Sequence, residues 1–378
     1  MREFLPFVME RWQSTWENVV DYNLSESGVL PLTLAELLEM AGDGSDRVRV
    51  GYGQSNGSTL LRQNIAALYG GIPLDRICVT NGSAEANFAV MWTLVEQGDT
   101  VAILTPTYMQ TPGLARTIGA RLVGIPLHEE AGWQPDPDEI AAAVTPATKL
   151  VVVTNPGNPT AAILGREARA ALVRAADRAG AWILADEVYS GAERNGPETP
   201  SLAGEYERVV STGSLSKAYG LAGLRIGWAV APEPIAAELW ARKDYTTISP
   251  GELTDRLAAL ALSPHVRTRL LERTRSFIRS GWEIVEEWLE AQGCFHWHTP
   301  EAGAICFARY DLPIESADLA ERLRVEKSLL IVPGAHFEMG PYVRIGFGLP
   351  QAELRKALAR FGEMLESVVA GSVSGTRP

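Results

Sequence analysis

The chain has 378 residues, 46% hydrophobic and 21% charged, which at roughly 150 residues per domain allows two or three units around a large buried core. A formal charge of −12 argues against nucleic acid or an anionic membrane as the main partner, because both reward clustered lysine and arginine. No apolar run reaches the ~18 residues of a membrane span, and the opening Met1-Arg-Glu-Phe-Leu-Pro has no signal-peptide architecture, so the expected compartment is the cytoplasm.

Residues 1–20 alternate apolar and charged positions at helical spacing. Tyr22-Asn-Leu-Ser-Glu-Ser-Gly28 then breaks into a polar loop ahead of a helix capped by Thr33 and Glu36. A second polar loop, Gly51-Tyr52-Gly53-Gln-Ser-Asn-Gly57, leads into a helix over 58–69. From residue 76 strands and helices alternate. Strands over 76–80, 100–104, 121–126 and 149–154 interleave with helices over 84–96, 110–118, 137–144 and 166–179, and strands over 181–185, 208–212 and 225–230 follow. These strand runs are short, continuous and rich in Val, Ile and Leu, as strands covered on both faces are. A mostly parallel α/β sheet follows, with ligands expected at the carboxyl ends of its strands.

Beyond Pro232 the spacing predicts helices over 233–243, 252–262 and 265–292, the last long enough to bridge two domains. Strands near 304–310, 329–332 and 342–347 and a helix over 351–368 make a smaller α+β unit. The expected partition is an N-terminal arm with part of the small domain (1–48), a large cofactor-binding domain (49–270), a C-terminal small domain (271–370) and a disordered tail (371–378). Cys78, Cys294 and Cys306 lie in or beside apolar runs without metal-ligand spacing, and His296-x-His298 reads as one face of a strand, so no metal is expected.

The polar motifs fall at the predicted strand ends. Lys217, in Ser211-Thr-Gly-Ser214-Leu-Ser216-Lys217, sits in a tight turn of small residues. Desolvation there would lower its pKa and free the amine as a Schiff-base nucleophile. Ser214, Ser216 and Arg225 suit a phosphate, as does Asn81-Gly82-Ser83-Ala84-Glu85, where free N–H groups open a helix. An amine beside a phosphate grip points to pyridoxal phosphate. Asp186 ends a buried strand and needs a cationic partner, a need that a protonated pyridine nitrogen meets. Asn158 and Tyr189 are suited to bond a phenolate oxygen, Tyr108 to stack on a ring, and Arg344 to fork a substrate carboxylate. Each of these taken alone also fits an ordinary packed turn or a surface cation.

Three motifs in combination are far more specific: Asn155-Pro-Gly-Asn158-Pro-Thr160, Asp186-Glu-Val-Tyr189, and Ser214-Leu-Ser-Lys217 followed eight residues on by Arg225. With these, residues 22–368 resemble the class I/II aminotransferases, pyridoxal-phosphate-dependent enzymes of fold type I. The resemblance implies a large domain with a mostly parallel seven-stranded sheet plus a smaller α+β domain. It implies that Lys217 holds pyridoxal 5′-phosphate as an imine and shuttles the substrate proton, and that Asp186 pairs the ring nitrogen. Asn158 and Tyr189 would bond the ring oxygen, Tyr108 would stack, and Gly82, Ser83, Ala84, Ser214, Ser216 and Arg225 would hold the phosphate. Arg344 corresponds to the α-carboxylate arginine, with Asn158, Ser27 and Gly28 also on the substrate side. Tyr52 would reach the partner's phosphate in an obligate homodimer.

Two departures stand out. Ala161 replaces the glycine usual after Asn-Pro-Thr, and Leu24-Ser-Glu-Ser-Gly28 replaces a Gly-x-Gly-x-Pro-Asp segment that lines the substrate pocket. The pattern Ser27-Gly28-Val29 with Thr33-x-x-Glu36-Leu37 is similar to capreomycidine-synthase-like members, which eliminate and cyclise an arginine derivative. The leading expectation is transamination between an L-amino acid and a keto acid, with elimination and cyclisation as the alternative. Glu26 is expected near the distal end of the substrate, favouring a cationic side chain, with Tyr245 and the 300–304 turn as further entrance candidates.

Overall fold

The computed structural model describes residues 6–42, 48 and 51–374. Helix α1 (Val8–Trp16) leads to strand β1 (Tyr22–Asn23) and helix α2 (Leu34–Ala41). The Thr33 and Glu36 side chains close a reciprocal capping box on α2, and Gly42 ends it at φ +62°, a left-handed conformation that costs glycine little. Helix α3 (Thr59–Leu68), β2 (Ile77–Thr80), α4 (Ser83–Leu94), β3 (Thr100–Thr105), α5 (Gln110–Ile118), β4 (Arg121–Pro126), α6 (Pro137–Ala143), β5 (Thr148–Thr154), α7 (Arg166–Ala179), β6 (Trp182–Asp186), β7 (Val209–Ser214) and β8 (Gly227–Val230) follow.

Strands β2 to β8 form one seven-stranded sheet in the order β2-β8-β7-β6-β5-β3-β4. Every neighbouring pair is parallel except those of β8, which runs antiparallel to β2 and to β7. The two-sided burial explains the continuous apolar runs. On β5, Leu150 and Val152 join the core shared with Ala86 and Val90 of α4, while Val151 and Val153 join the opposite core with Ile140 of α6 and Leu172 of α7. Each such side chain contributes about 1.5–3 kcal/mol by leaving water.

Helices α8 (Glu233–Lys243), α9 (Glu252–Ala261) and α10 (Pro264–Gln292) lead to β9 (Phe295–Trp297), β10 (Ile305–Tyr310), α11 (Ser316–Lys327), β11 (Leu329–Leu330), β12 (Val332–Pro333), β13 (Tyr342–Gly346) and α12 (Gln351–Ser374). An antiparallel sheet, β12-β13-β10-β9, packs against α10 and α12 through Trp282, Phe347 and Phe361. No helix among the described residues is long and apolar enough to cross a membrane.

Three expectations from the sequence meet a different outcome. The expected strand over 225–230 begins only at Gly227, because Arg225 takes a left-handed turn conformation (φ +52°). The last helix continues to Ser374, so residues 371–374 extend α12 and do not belong to a disordered tail; 375–378 lie outside the described residues. The expected boundary at 270 lies within helix α10, the helix read from the sequence as bridging two domains, and of residues 43–50 around the boundary at 48 only Val48 is described. Finally, the supposed polar loop at 22–28 begins as a strand, with Tyr22 and Asn23 pairing in parallel with Leu329 and Leu330.

That pairing governs the site. The Leu24 N–H donates to the Leu330 carbonyl (2.8 Å), and the Gly346 N–H donates to the Leu24 carbonyl (2.6 Å). The segment lies so close to the small sheet that a Cβ at Gly346 would stand 2.0 Å from the Glu26 carbonyl oxygen, and one at Gly348 2.1 Å from that of Gly28. A Gly346→Ala variant should therefore lose about 1–3 kcal/mol of stability through overpacking. It should also displace Glu26, read as a lower denaturant midpoint at unchanged m-value together with weaker turnover.

Candidate active site

A cavity of about 340 Å³ opens where β5 and β6 end, between the start of α4 and the inward face of α1. Lys217 reaches it from the turn after β7. Its Nζ donates to Glu26 Oε1 at 2.6 Å, and the same oxygen accepts the Ser27 and Gly28 N–H groups, both at 2.8 Å. Burial alone would raise the Glu26 pKa, but the Lys217 charge and these three hydrogen bonds outweigh it and hold the carboxyl at about 2. Burial alone would lower the Lys217 pKa, as its sequence setting implies, yet the Glu26 charge reverses the sign and the amine is pushed up. Glu26 thus sits at the Lys217 amine and not at the distal end of the pocket. Gly28 lies beside it, where a Cβ would stand 3.5 Å from Lys217 Cδ.

Asp186 is the floor. Its Oδ2 accepts from Asn87 Nδ2 (2.9 Å) and its Oδ1 from the Val188 N–H (3.2 Å), with no cation paired to it among the described residues. Burial raises its pKa against those two hydrogen bonds. Asn87 is fixed in turn by the Thr212 hydroxyl, which donates to its Oδ1 (2.8 Å). The sequence reading passed over Asn87, although a buried amide on the apolar helix α4 was a visible signal.

Arg344 is 1% exposed. Its Nη1 donates to Asn158 Oδ1 (2.8 Å) and its Nη2 to the Ser25 carbonyl (2.6 Å), while Nε has no partner. The Tyr189 hydroxyl donates to Ser27 Oγ (2.9 Å), and the Tyr108 hydroxyl to Glu10 Oε1 (2.9 Å), with Phe7 edge-on to the Tyr108 ring at 5.1 Å. Glu10, Gln13 and Glu17, spaced three and four apart on α1 and its C-cap, all face the cavity, and the sequence reading named none of them.

Opposite them is a cradle for an anion. Gly82, at φ +84°, precedes α4 without a side-chain cap, leaving first-turn N–H groups free. A Cβ at Gly82 would stand 2.3 Å from Arg225 Nη2, and one at Gly227 2.4 Å from the Ser83 N. Ser83, Ala84, Ser216 and Arg225 line the cavity. Ser214 is buried behind them, its Oγ accepting the Ser216 N–H at 3.2 Å, and it borders a separate cavity beside Glu187. Tyr52, 89% exposed, and Tyr245, 83% exposed, face outward and do not line the Lys217 cavity; the 300–304 turn instead packs on Tyr189. Ala161 stands at φ +56°, the conformation for which glycine is the usual occupant.

These features fit pyridoxal 5′-phosphate. A buried carboxylate without a cation, free helix N–H groups beside an arginine, an amine and a tyrosine ring converge on one cavity. The Glu26 pairing also carries a pH signature in the cofactor-free protein. Its folded pKa of about 2 lies below the ordinary 4.5, so the stabilisation is complete above pH 4.5 and is lost as pH falls toward 2. Unfolding midpoints of wild type and Glu26→Gln should therefore differ at neutral pH and converge across that window; a pH-independent gap would contradict the pairing.

The family profile of aminotransferase class I and II matches residues 20–361. Capreomycidine synthase of Streptomyces vinaceus is 34% identical over 359 residues, covering 94% of this chain and 92% of that one. Among solved structures, a PLP-dependent aminotransferase from Streptococcus suis 89-1591 superposes with a TM-score of 0.91 at 32% identity, covering 97% of this chain and 99% of that one. The PLP-dependent cyclase OrfR superposes with a TM-score of 0.89 at 28% identity, covering 97% and 98%. The chain belongs to the class I and II aminotransferase family and is a pyridoxal-phosphate-dependent enzyme of fold type I.

Proposed function

We propose that the enzyme acts on an L-amino acid with a guanidinium side chain, eliminating a leaving group from that side chain and closing a ring. The observation that carries this reading is the charge inventory of the cavity, which holds Glu10, Glu17, Glu26 and Asp186 against Lys217, Arg225 and Arg344. Pyridoxal 5′-phosphate, when bound, supplies an electron sink for charge developing at the substrate Cα. Asp186 pairs the ring nitrogen, and Asn158 and Tyr189 serve the ring oxygen. Tyr108 stacks, and Gly82, Ser83, Ala84, Ser216 and Arg225 form the phosphate site, with Ser214 behind them holding the Ser216 N–H. Arg344 forks the substrate α-carboxylate, filling its unpaired Nε. Arg225 and Arg344 are then neutralised by anions and Lys217 answers Glu26, so the N-terminal wall keeps an excess of negative charge. A cationic side chain complements that excess, whereas aspartate or glutamate would be repelled.

Elimination fits the same amine. With a side-chain hydroxyl as leaving group, Lys217 Nζ takes the Cα proton and delivers it to the departing hydroxyl, so the Cα–H and C–OH bonds break with net loss of water and no second acid. Glu26 Oε1, 2.6 Å from Nζ, orients the amine and favours the protonated form that makes this delivery. A guanidine nitrogen then bonds to the carbon so exposed, and the proton it gives up returns through Lys217 to Cα. The 34% identity to capreomycidine synthase and the likeness to the cyclase OrfR support the same reading. Incubating the holoenzyme with a side-chain-hydroxylated L-arginine in the absence of any keto acid should give steady multiple turnover. Arrest after a single half-turnover in the pyridoxamine form would establish transamination, the reaction placed first on the sequence.

We propose further that the enzyme is a homodimer with Tyr52 reaching the partner's phosphate site. Phe88, Trp92 and Tyr245 support this as an exposed aromatic cluster, with Trp92 5.9 Å from each of the other two rings. A Trp92→Glu variant should sediment as a monomer and bind pyridoxal 5′-phosphate more weakly than wild type; an unaltered dimer would remove this face from the interface.

A further inference from the structure

Two of the three polar side chains on the inward face of α1 are already engaged by the protein. Glu10 accepts the Tyr108 hydroxyl, and Gln13 Nε2 donates to the Ser25 carbonyl (2.8 Å) and to Ser25 Oγ (3.2 Å). Trp12 Nε1 adds a bond to the Ile331 carbonyl (3.0 Å), so the helix is pinned from two sides. Glu17, the third, is half-buried, and its carboxylate has no hydrogen bond or ion pair to any described residue.

Its position runs against local electrostatics. Glu17 is the C-cap of α1, where the helix dipole disfavours an anion. The nearby charges of Glu26 and Glu10 disfavour it as well, as does burial, the largest of the three effects, and the Lys217 charge offsets them only in part. A rigid element holding an unpaired carboxylate against three unfavourable fields is the kind of local conflict that marks a binding group. A second feature of the same cavity points to a ligand: Arg344, 1% exposed, leaves Nε unpaired there.

We infer that Glu17 is the specificity-determining residue for the substrate side chain: its carboxylate receives the guanidinium of an amino acid whose α-carboxylate rests on Arg344. Glu26 is committed to Lys217 and Glu10 to Tyr108, which leaves Glu17 as the member of the wall with both oxygens free to meet the guanidinium fork. This rests on the cationic-substrate reading above and assigns it to one side chain.

The test compares holoenzyme affinity for L-arginine and for L-citrulline, its uncharged isostere, by calorimetry. Wild type should favour arginine by roughly ten- to hundredfold, the range of one charge-assisted contact. Glu17→Gln should bring that ratio close to one, chiefly by weakening arginine, and Glu17→Asp should retain part of it. With a turnover substrate the loss should appear mainly in KM. Because Glu17 has no internal partner, Glu17→Gln should not lower the unfolding temperature of the ligand-free protein. Retention of the wild-type ratio by Glu17→Gln would overturn the role of Glu17 and leave the cationic-substrate reading standing. Equal wild-type affinity for both ligands would overturn both. A lowered unfolding temperature with equal weakening of the two ligands would make Glu17 a structural residue.

Discussion

The site depends on one backbone constraint: residues 22–28 are held by hydrogen bonds between the small sheet and the catalytic cavity. Tyr22 and Asn23 pair with Leu329 and Leu330, and the Leu24 carbonyl accepts from Gly346. Glycines at 346 and 348 permit an approach that any Cβ would block. At the end of this segment Glu26 meets Lys217, and the consequence is electrostatic. In the cofactor-free protein the Glu26 charge pushes the Lys217 pKa up against burial, and the Lys217 charge with three hydrogen bonds holds the Glu26 carboxyl low against burial.

The rest of the cavity divides by charge along the sheet. On one side, the ends of β5 and β6 and the start of α4 present Asp186, free helix N–H groups and Arg225, complementary to a phosphorylated, protonated ring. On the other, α1 brings carboxylates that such a ring does not require. Asp186 is tuned by what it lacks: with Asn87 and a backbone N–H as its partners, it remains a buried carboxylate awaiting a cation, and binding of one relieves a penalty of several kcal/mol. Arg344 is the complementary case, a buried cation with one donor unspent.

The two chemistries considered for this family share that ring-binding side. They separate at the N-terminal wall, where Leu24-Ser-Glu-Ser-Gly28 stands in place of a neutral segment and α1 adds Glu10 and Glu17.

The sequence by itself determined the sheet and which motif residues meet in one cavity. Strands buried on both faces leave uninterrupted Val, Ile and Leu runs, and Asn158, Asp186, Tyr189 and Lys217 lie in contiguous motifs at strand ends, where chemistry and local geometry are written together. Only the tertiary structure decided the sign of the Lys217 shift, the placement of Glu26 on the amine, and the entry of Glu10, Glu17 and Asn87 into the site. The physical reason is separation: Glu26 and Lys217 are 191 positions apart and Arg344 and Ser25 are 319, so their encounters follow from strand pairing and glycine clearance elsewhere in the chain. The helical spacing of Glu10, Gln13 and Glu17 was visible beforehand, but a helix face has no meaning for function until packing decides which way it points.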